Sequence, residues 1–275
     1  MMSKEMDGKI LSDEICDNLK IKCDNLKANK IYPELTILSN NKKYQAEEEI
    51  KRCKEIGIEN HVLHIDCLDT IQYDTIITNC RNPIFIHNSI YDKVKFTHIA
   101  NTIPTVFDMN GHSICNIGSL YVNSTPKFYS CIAAGIMNLL YKYNVSLSGK
   151  DVVVIKDNDI DSKLIATMLD HAGCTVTTFN DNIQENKLYE HIKNADIIIS
   201  FVNRDNPITY DRANIITDYK INWINKVLID KRYFSDELRN YCQFYATQKD
   251  IEAIAIAMLM KNVIKFYENN VDKAK

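Results

Sequence analysis

The sequence predicts an α/β protein of two domains, each built on a parallel β-sheet. Short apolar runs alternate with helical segments in both halves of the 275-residue chain, an order typical of a parallel sheet wrapped by helices. A strand–turn–helix opens the second half. The last segment, 251–267, is apolar on more than one face, which predicts a buried helix that packs back on the first domain. We therefore place the first domain at residues 1–145 plus 249–275 and the second at 146–248.

Helical and strand periodicity defines the elements of the first domain. Lys9–Asn29 has an apolar side and predicts an amphipathic helix, and the apolar run Glu34–Leu38 predicts a strand. Tyr44–Ile56 predicts a charged helix that ends at Gly57, because glycine favours the left-handed conformation that closes a helix. The remaining predicted elements are strands at 62–65 and 84–87 and helices at 70–79 and 128–143.

The second domain opens with the β-branched strand Val152–Ile155, followed by a helix with an apolar face. This is the layout of a nucleotide-binding βαβ unit, in which glycines let the backbone approach a pyrophosphate at the helix N-terminus. The connecting turn, Lys156–Lys163, has three aspartates and no glycine. The scaffold is therefore expected to persist without its phosphate site. Later strands are predicted at 175–179, 197–201 and 227–229.

Composition excludes several classes of function. The chain is 45% hydrophobic and 25% charged, with a net charge of −3, so nothing indicates binding to nucleic acid or to an acidic membrane. The N-terminal segment, Met1–Lys9, is polar and does not resemble a signal peptide, and no apolar run reaches the ~20 residues of a membrane span. We expect a cytoplasmic protein.

The turn at residues 156–163 has a second interpretation, as a calcium-binding loop. Asp157-x-Asp159-x-Asp161 has the spacing that opens a calcium loop. Ser162 and Met168 stand where that loop requires glycine and glutamate. A calcium site is therefore disfavoured.

A second metal interpretation rests on His61-x-x-His64, which lies in a strand-like run without nearby partner ligands. The nine cysteines are irregularly spaced and most lie in apolar runs, which indicates reduced, buried thiols. We predict no metal site.

Several motifs in order resemble the bifunctional methylenetetrahydrofolate dehydrogenase/methenyltetrahydrofolate cyclohydrolase family (FolD type). They are Asp7-Gly8-Lys9, Asp108-Met109-Asn110-Gly111 with Asn116, Cys131 with Gly135, Gly149 through Ala166, Ala195-Asp196-Ile197, and Ala257-Met258-Leu259 with Asn262. The resemblance implies a folate-type N-terminal domain and a Rossmann-like NAD(P)-type domain around a cleft, usually as a homodimer in one-carbon metabolism.

The resemblance also implies where the catalytic residues should lie. The family's Y-x-x-x-K pair corresponds to Tyr44 and Glu48, or to Gln45 and Glu49 if the spacing is counted back from Gly57. Either register puts a carboxylate where the family has an ammonium group, and a carboxylate cannot supply positive charge. Lys51, two turns beyond Tyr44, is a partial substitute.

The remaining family positions are replaced as well. His87 stands for the catalytic glutamine; the alternative is a structural histidine at a strand end. Asn110 stands for the aspartate that holds the pterin ring. The cofactor-binding positions are Lys156, Asp157, Asn158 and Ser162, which replace the G-R-S turn and a later glycine.

Packing positions are thus kept while ligand positions are replaced. We expect a pseudo-enzyme without NAD(P), whose dehydrogenase function is lost and whose cyclohydrolase activity is weak or lost. It would act as a binding or assembly protein, as a homodimer or a dimer with a paralogue, and hold a folate-type small molecule. The alternative is an active enzyme with NADP, in which Glu48 or Lys51 acts with Tyr44 and His87.

Overall fold

The structure is a computed structural model. It describes residues 3–39, 46–64, 70–87, 90, 94–157, 160–205, 207–214 and 221–271. The chain divides into two compact units. The first unit comprises Met1–Leu11 and Gly135–Ile254, and the second comprises Ser12–Ala134 and Ala255–Lys275. The domain boundaries proposed from the sequence stay a prediction.

Strands and helices alternate along most of the chain. The strands are β1 Lys4–Glu5, β2 Glu34–Ser39, β3 Glu59–His64, β4 Ile84–Ile86, β5 Asp151–Lys156, β6 Thr175–Asn180, β7 Ile197–Ser200, β8 Val227–Asp230 and β9 Phe244–Thr247. The helices are α1 Gly8–Ala28, α2 Glu47–Ile56, α3 Thr70–Asn79, α4 Phe96–Thr102, α5 Ile114–Tyr121, α6 Cys131–Lys142, α7 Asp161–His171, α8 Glu185–Asn194, α9 Tyr210–Asn214, α10 Asp236–Arg239 and α11 Gln248–Val271.

The first unit contains a six-stranded parallel sheet in the order β1-β9-β8-β7-β5-β6. Strands β7 and β8 are buried along their whole length, as expected for a parallel sheet covered on both faces. Because β6 and β7 lie on opposite sides of β5, the strand order reverses there. In doubly wound folds, ligands bind at the carboxyl ends of the strands beside such a reversal.

The second unit contains a three-stranded parallel sheet in the order β3-β2-β4. Its core joins Leu38 and Ile84 of the sheet to Tyr73 and Ile77 of α3. Helix α2 ends as predicted, because Gly57 is left-handed (φ 91°) and its N–H donates to the Cys53 carbonyl at 2.8 Å.

The predicted return of the last helix is confirmed. Residues 255–271 of α11 belong to the second unit, where Asn262 Nδ2 donates to the carbonyls of Met109 (3.0 Å) and Tyr129 (3.1 Å). No helix within the described residues is long and apolar enough to span a membrane.

The predicted helix Tyr44–Ile56 begins later than expected. Ala46 has a left-handed backbone (φ 46°, ψ 39°), so α2 begins at Glu47, where three glutamates in the first turn suit the helix dipole. Tyr44 and Gln45 lie outside the described residues. Helix α6 likewise begins at Cys131, and not at Phe128.

Candidate functional site

Two of the three glutamates that open α2 lie in different environments. Glu48 is 68% exposed and lies 3.8 Å from the Nζ of Lys51, itself 62% exposed. Glu49 is half-buried one turn before Cys53. Burial and, second, the charge of Glu49 raise the pKa of Cys53 to about 12. Glu49 therefore belongs to the side of α2 that packs into the unit, whereas Glu48 and Lys51 form a solvated pair.

His87 follows β4 directly and is half-buried. Its backbone N–H donates to the Leu38 carbonyl at 2.9 Å, and its own carbonyl accepts from the Ile90 N–H at 3.0 Å. Its ring meets the edge of the Phe85 ring at 6.5 Å between centroids. The main chain of His87 therefore extends the sheet beyond β4 and turns the chain.

Asn110 is buried and its side-chain amide contacts Ile86, the last residue of β4. Its Oδ1 accepts from the Ile86 N–H at 2.8 Å, and its Nδ2 donates to the Ile86 carbonyl at 3.0 Å. His87 and Asn110 are thus brought to the same strand end. Both functional groups of the Asn110 amide are engaged by the protein's own backbone.

A hydrogen-bond network centred on the buried Asp108 lies next to Asn110 in the sequence. The Oδ2 of buried Asp108 accepts from the Ser113 N–H at 2.6 Å and from Asn116 Nδ2 at 2.9 Å. The Oδ1 of Asn116 accepts from the Phe128 N–H at 3.2 Å. Gly111 is left-handed (φ 74°), and a Cβ there would lie 2.6 Å from the backbone nitrogen of Ser130. Contacts within the protein therefore hold the segment around Asp108-Met109-Asn110-Gly111 in place.

The cofactor positions lie at the carboxyl end of β5 in the first unit. Lys156 is half-buried at the strand end and Asp157 is exposed, while Asn158 lies outside the described residues. Helix α7 begins with two buried polar residues, Asp161 (7% exposed) and Ser162 (0%). The N-terminus of this helix therefore already carries a carboxylate, which the helix dipole stabilises.

Long basic side chains follow β7 and β8. The Arg204 guanidinium lies 4.2 Å from the centre of the Tyr233 ring and 3.4 Å from Glu185 Oε1. Lys231 Nζ lies 4.8 Å from the centre of the Phe201 ring. The sequence does not reveal these aromatic partners, since such contacts join distant segments.

The carboxylate of Asp230, the last residue of β8, binds the backbone of the turn that follows. It is fully buried and accepts from the backbone N–H groups of Tyr233 (2.8 Å) and Phe234 (3.1 Å). Burial raises its pKa to about 6, although these bonds and Arg239, 3.8 Å away, favour the charged form. The next turn contains Arg232 with an unusual φ of 113°.

No group of three or more potential metal ligands occurs in the part of the chain that the structure describes. His61 and His64 both lie on β3 and are exposed. Because residues three apart in a strand point to opposite faces, the two rings do not face a common site. Asp159 of the calcium-loop spacing lies outside the described residues.

Comparisons with known proteins agree with this architecture of two α/β units, one Rossmann-like. The family model described as tetrahydrofolate dehydrogenase/cyclohydrolase, NAD(P)-binding domain, matches residues 130–271. A bifunctional protein FolD of Fusobacterium nucleatum is 30% identical, over 96% of this chain and 98% of that protein. The chain belongs to the tetrahydrofolate dehydrogenase/cyclohydrolase family of folate metabolism.

Solved structures show the same fold. The FolD methylenetetrahydrofolate dehydrogenase/cyclohydrolase of Campylobacter jejuni is similar, with a TM-score of 0.83 and 23% identity, over 98% of this chain and 99% of that one. The Trypanosoma brucei dehydrogenase-cyclohydrolase, complexed with NADP cofactor and inhibitor, gives 0.84 at 18% identity over the same shares. The predicted family and fold class are thus confirmed.

Proposed function

We propose that this chain is a divergent family member that has lost NAD(P)-dependent dehydrogenase function, retains weak cyclohydrolase activity or none, and acts as a binding or assembly protein. The observation that carries the proposal is the acidic, glycine-free turn between β5 and α7. It lies where a nucleotide-binding unit of this type holds a pyrophosphate.

The charges at this turn oppose a dinucleotide. A pyrophosphate is stabilised at a helix N-terminus by free N–H groups and by the dipole. Here the buried Asp161 occupies the first turn of α7, and Asp157 follows β5 directly. A phosphate placed beside a carboxylate in a partly buried site is repelled by roughly 4 kcal/mol at 4 Å and an effective dielectric constant of 20. These residues do not fit NAD(P).

The neighbouring loops support the same conclusion. Glycine loops let backbone approach a ligand closely, whereas Arg204 and Lys231 place long side chains over Tyr233 and Phe201. The loops after β7 and β8 therefore make side-chain contacts within the protein. We infer that no cofactor is bound.

In the second unit, helix α2 has no ammonium group at the position of the family's catalytic lysine. Because α2 is unbroken from Glu47 to the cap at Gly57, counting back from Gly57 favours Glu49 as the equivalent of the family's lysine. Glu49 also lies on the packed side of the helix, whereas Glu48 is solvated. A carboxylate cannot supply the positive charge of the family's lysine.

Asn110 supports a loss of pterin recognition. Its amide is already engaged by both backbone groups of Ile86, so the side chain holds a strand end. A folate-type or other small molecule would have to bind through other groups. We propose a cytoplasmic homodimer, or a dimer with an intact paralogue, without nucleic-acid or membrane partners.

One observation favours a second candidate function, an active cyclohydrolase/dehydrogenase with substituted catalytic residues. The similarity to the Fusobacterium nucleatum protein extends over 98% of that protein's length. In this case Tyr44, Glu48 or Lys51, and His87 would carry the reaction, with NADP for the oxidative step.

Hydrolysis of methenyltetrahydrofolate, followed by absorbance, separates the two. The proposal expects turnover near the uncatalysed background for the wild-type protein. Glu49→Lys should raise hydrolysis above that background, and Glu48→Lys, at the neighbouring solvated position, is the matched control that should not. Wild-type turnover above about 1 s⁻¹, normal for an enzyme, would establish the second candidate instead.

A further inference from the structure

Three lysines from two distant segments meet on the second unit. Lys265 of α11 donates from Nζ to the backbone carbonyl of Lys127 at 2.7 Å. The same Nζ lies 5.6 Å from the centre of the Phe128 ring. Lys261 precedes Lys265 by one helical turn on the same side of α11. We call these three residues the lysine triad.

The lysine triad is a concentration of like charge on a chain whose net charge is −3. Burial and then the charges of Lys261 and Lys127 lower the pKa of Lys265. Among the described residues, no carboxylate lies within salt-bridge distance of any of the three, although lysines elsewhere, such as Lys22 and Lys150, are paired. Uncompensated repulsion of this kind is relieved when an anion binds.

We propose that Lys127, Lys261 and Lys265 form a binding site for a small anion that carries two or more negative charges, a phosphate ester or a polycarboxylate. An ammonium group has three donors and acts as a compact point charge. Lys265 uses one donor on the Lys127 carbonyl and is held over Phe128, so its position is fixed before any ligand arrives. Lys261 is exposed and Lys127 is half-buried, and the charges of both act on Lys265.

This site is separate from the turn at β5 in the first unit. It does not depend on whether the chain binds NAD(P) or hydrolyses a folate. It gives a divergent family member an anion site of its own.

Isothermal titration of the full-length protein with pyrophosphate and, separately, citrate at low ionic strength tests the proposal. We expect saturable binding at one site per chain that weakens as sodium chloride is added. Lys261→Gln should weaken binding by about threefold to tenfold, the effect of removing one nearby charge in partly solvated surroundings. Lys20→Gln, an exposed lysine of α1 in the same unit, is the matched control and should bind as the wild type does.

Lys127→Gln gives a second, independent variant. It keeps the backbone carbonyl that holds Lys265, so the fold is retained while one charge is lost. If only pyrophosphate binds, the site is specific for phosphate. If only citrate binds, it is specific for polycarboxylates. If both bind, the site recognises negative charge without further selectivity. Absence of saturable binding for both probes, or unchanged affinity in Lys261→Gln and Lys127→Gln, would overturn the proposal.

Discussion

Two stretches match the family's sequence pattern without a gap, yet they differ in what they have kept. In the region of 108–116, the matching residues Asp108 and Asn116 bond to each other, and only Asn110, which bonds to Ile86, departs from the family at a ligand position. In the turn that follows β5, lysine and serine replace two of the family's glycines, aspartate replaces its arginine, and asparagine replaces its serine. Asp108 and Asn116 keep the family's residue types and bond to each other, whereas the cofactor positions of the turn do not keep theirs. The proposed loss of a ligand, with the fold still required, would account for this difference.

The largest expected effect comes from Gly111→Ala. The substitution combines a left-handed backbone (φ 74°) with a Cβ 2.6 Å from the Ser130 nitrogen. We expect a loss of several kcal/mol in the free energy of unfolding, measured by urea denaturation.

Gly149→Ala is the matched control for that substitution. Gly149 has the same φ of 74°, but a Cβ there would have no neighbour within 4 Å. Only the backbone cost of about 1–2 kcal/mol should remain. Equal losses at the two positions would show that the network around Gly111 does not depend on close approach.

Asn110→Asp should cost about 2–3 kcal/mol at neutral pH. The substitution removes the donor to the Ile86 carbonyl and places a buried carboxylate against that oxygen. Asn116→Asp tests the adjacent network around Asp108, because Asn116 Nδ2 donates to Asp108. If Asn110→Asp is as stable as the wild type and gains folate affinity, Asn110 is a ligand position and not a structural one.

The raised pKa of Asp230 predicts that the free energy of unfolding depends on pH, with an effect of comparable size. Its pKa is about 6 in the folded protein and near 4 in the unfolded chain, so the folded state binds the additional proton between these values. Stability should therefore fall as pH rises from 4 to 6, by at most about 3 kcal/mol, and then level off. The difference in unfolding free energy between wild type and Asp230→Asn should follow this curve; a difference that is flat from pH 4 to 7 would contradict it.

Gly118→Ala should have the smallest effect. Gly118 is inside α5 and a Cβ would meet nothing within 4 Å, so alanine should stabilise the helix by about 0.5–1 kcal/mol. Thermal denaturation would detect the rise. A destabilised variant would indicate a contact at this face that the single chain does not show.

The sequence predicts well those elements in which consecutive residues are all buried. Val152–Ile155 and Ile197–Ile199 are β-branched and continuous, and they lie in β5 and β7 as expected. Helix α5 was not predicted, because its buried residues, Asn116 and Leu120, include an asparagine whose role is a bond to Asp108.

The site was harder to predict than the fold. The charge pattern of 156–163 is visible in the sequence, but the engagement of the Asn110 amide by Ile86 depends on a contact across 24 residues. The late start of α2 depends on the backbone of Ala46, which helical periodicity does not report.

Titration of NADP into the wild-type protein, followed by isothermal calorimetry, tests the central claim most directly. The replaced turn predicts no saturable binding at cofactor concentrations up to about 1 mM, equivalent to a binding free energy weaker than about −4 kcal/mol. A micromolar dissociation constant would contradict the account, since it would show that the aspartates around α7 leave a working dinucleotide site.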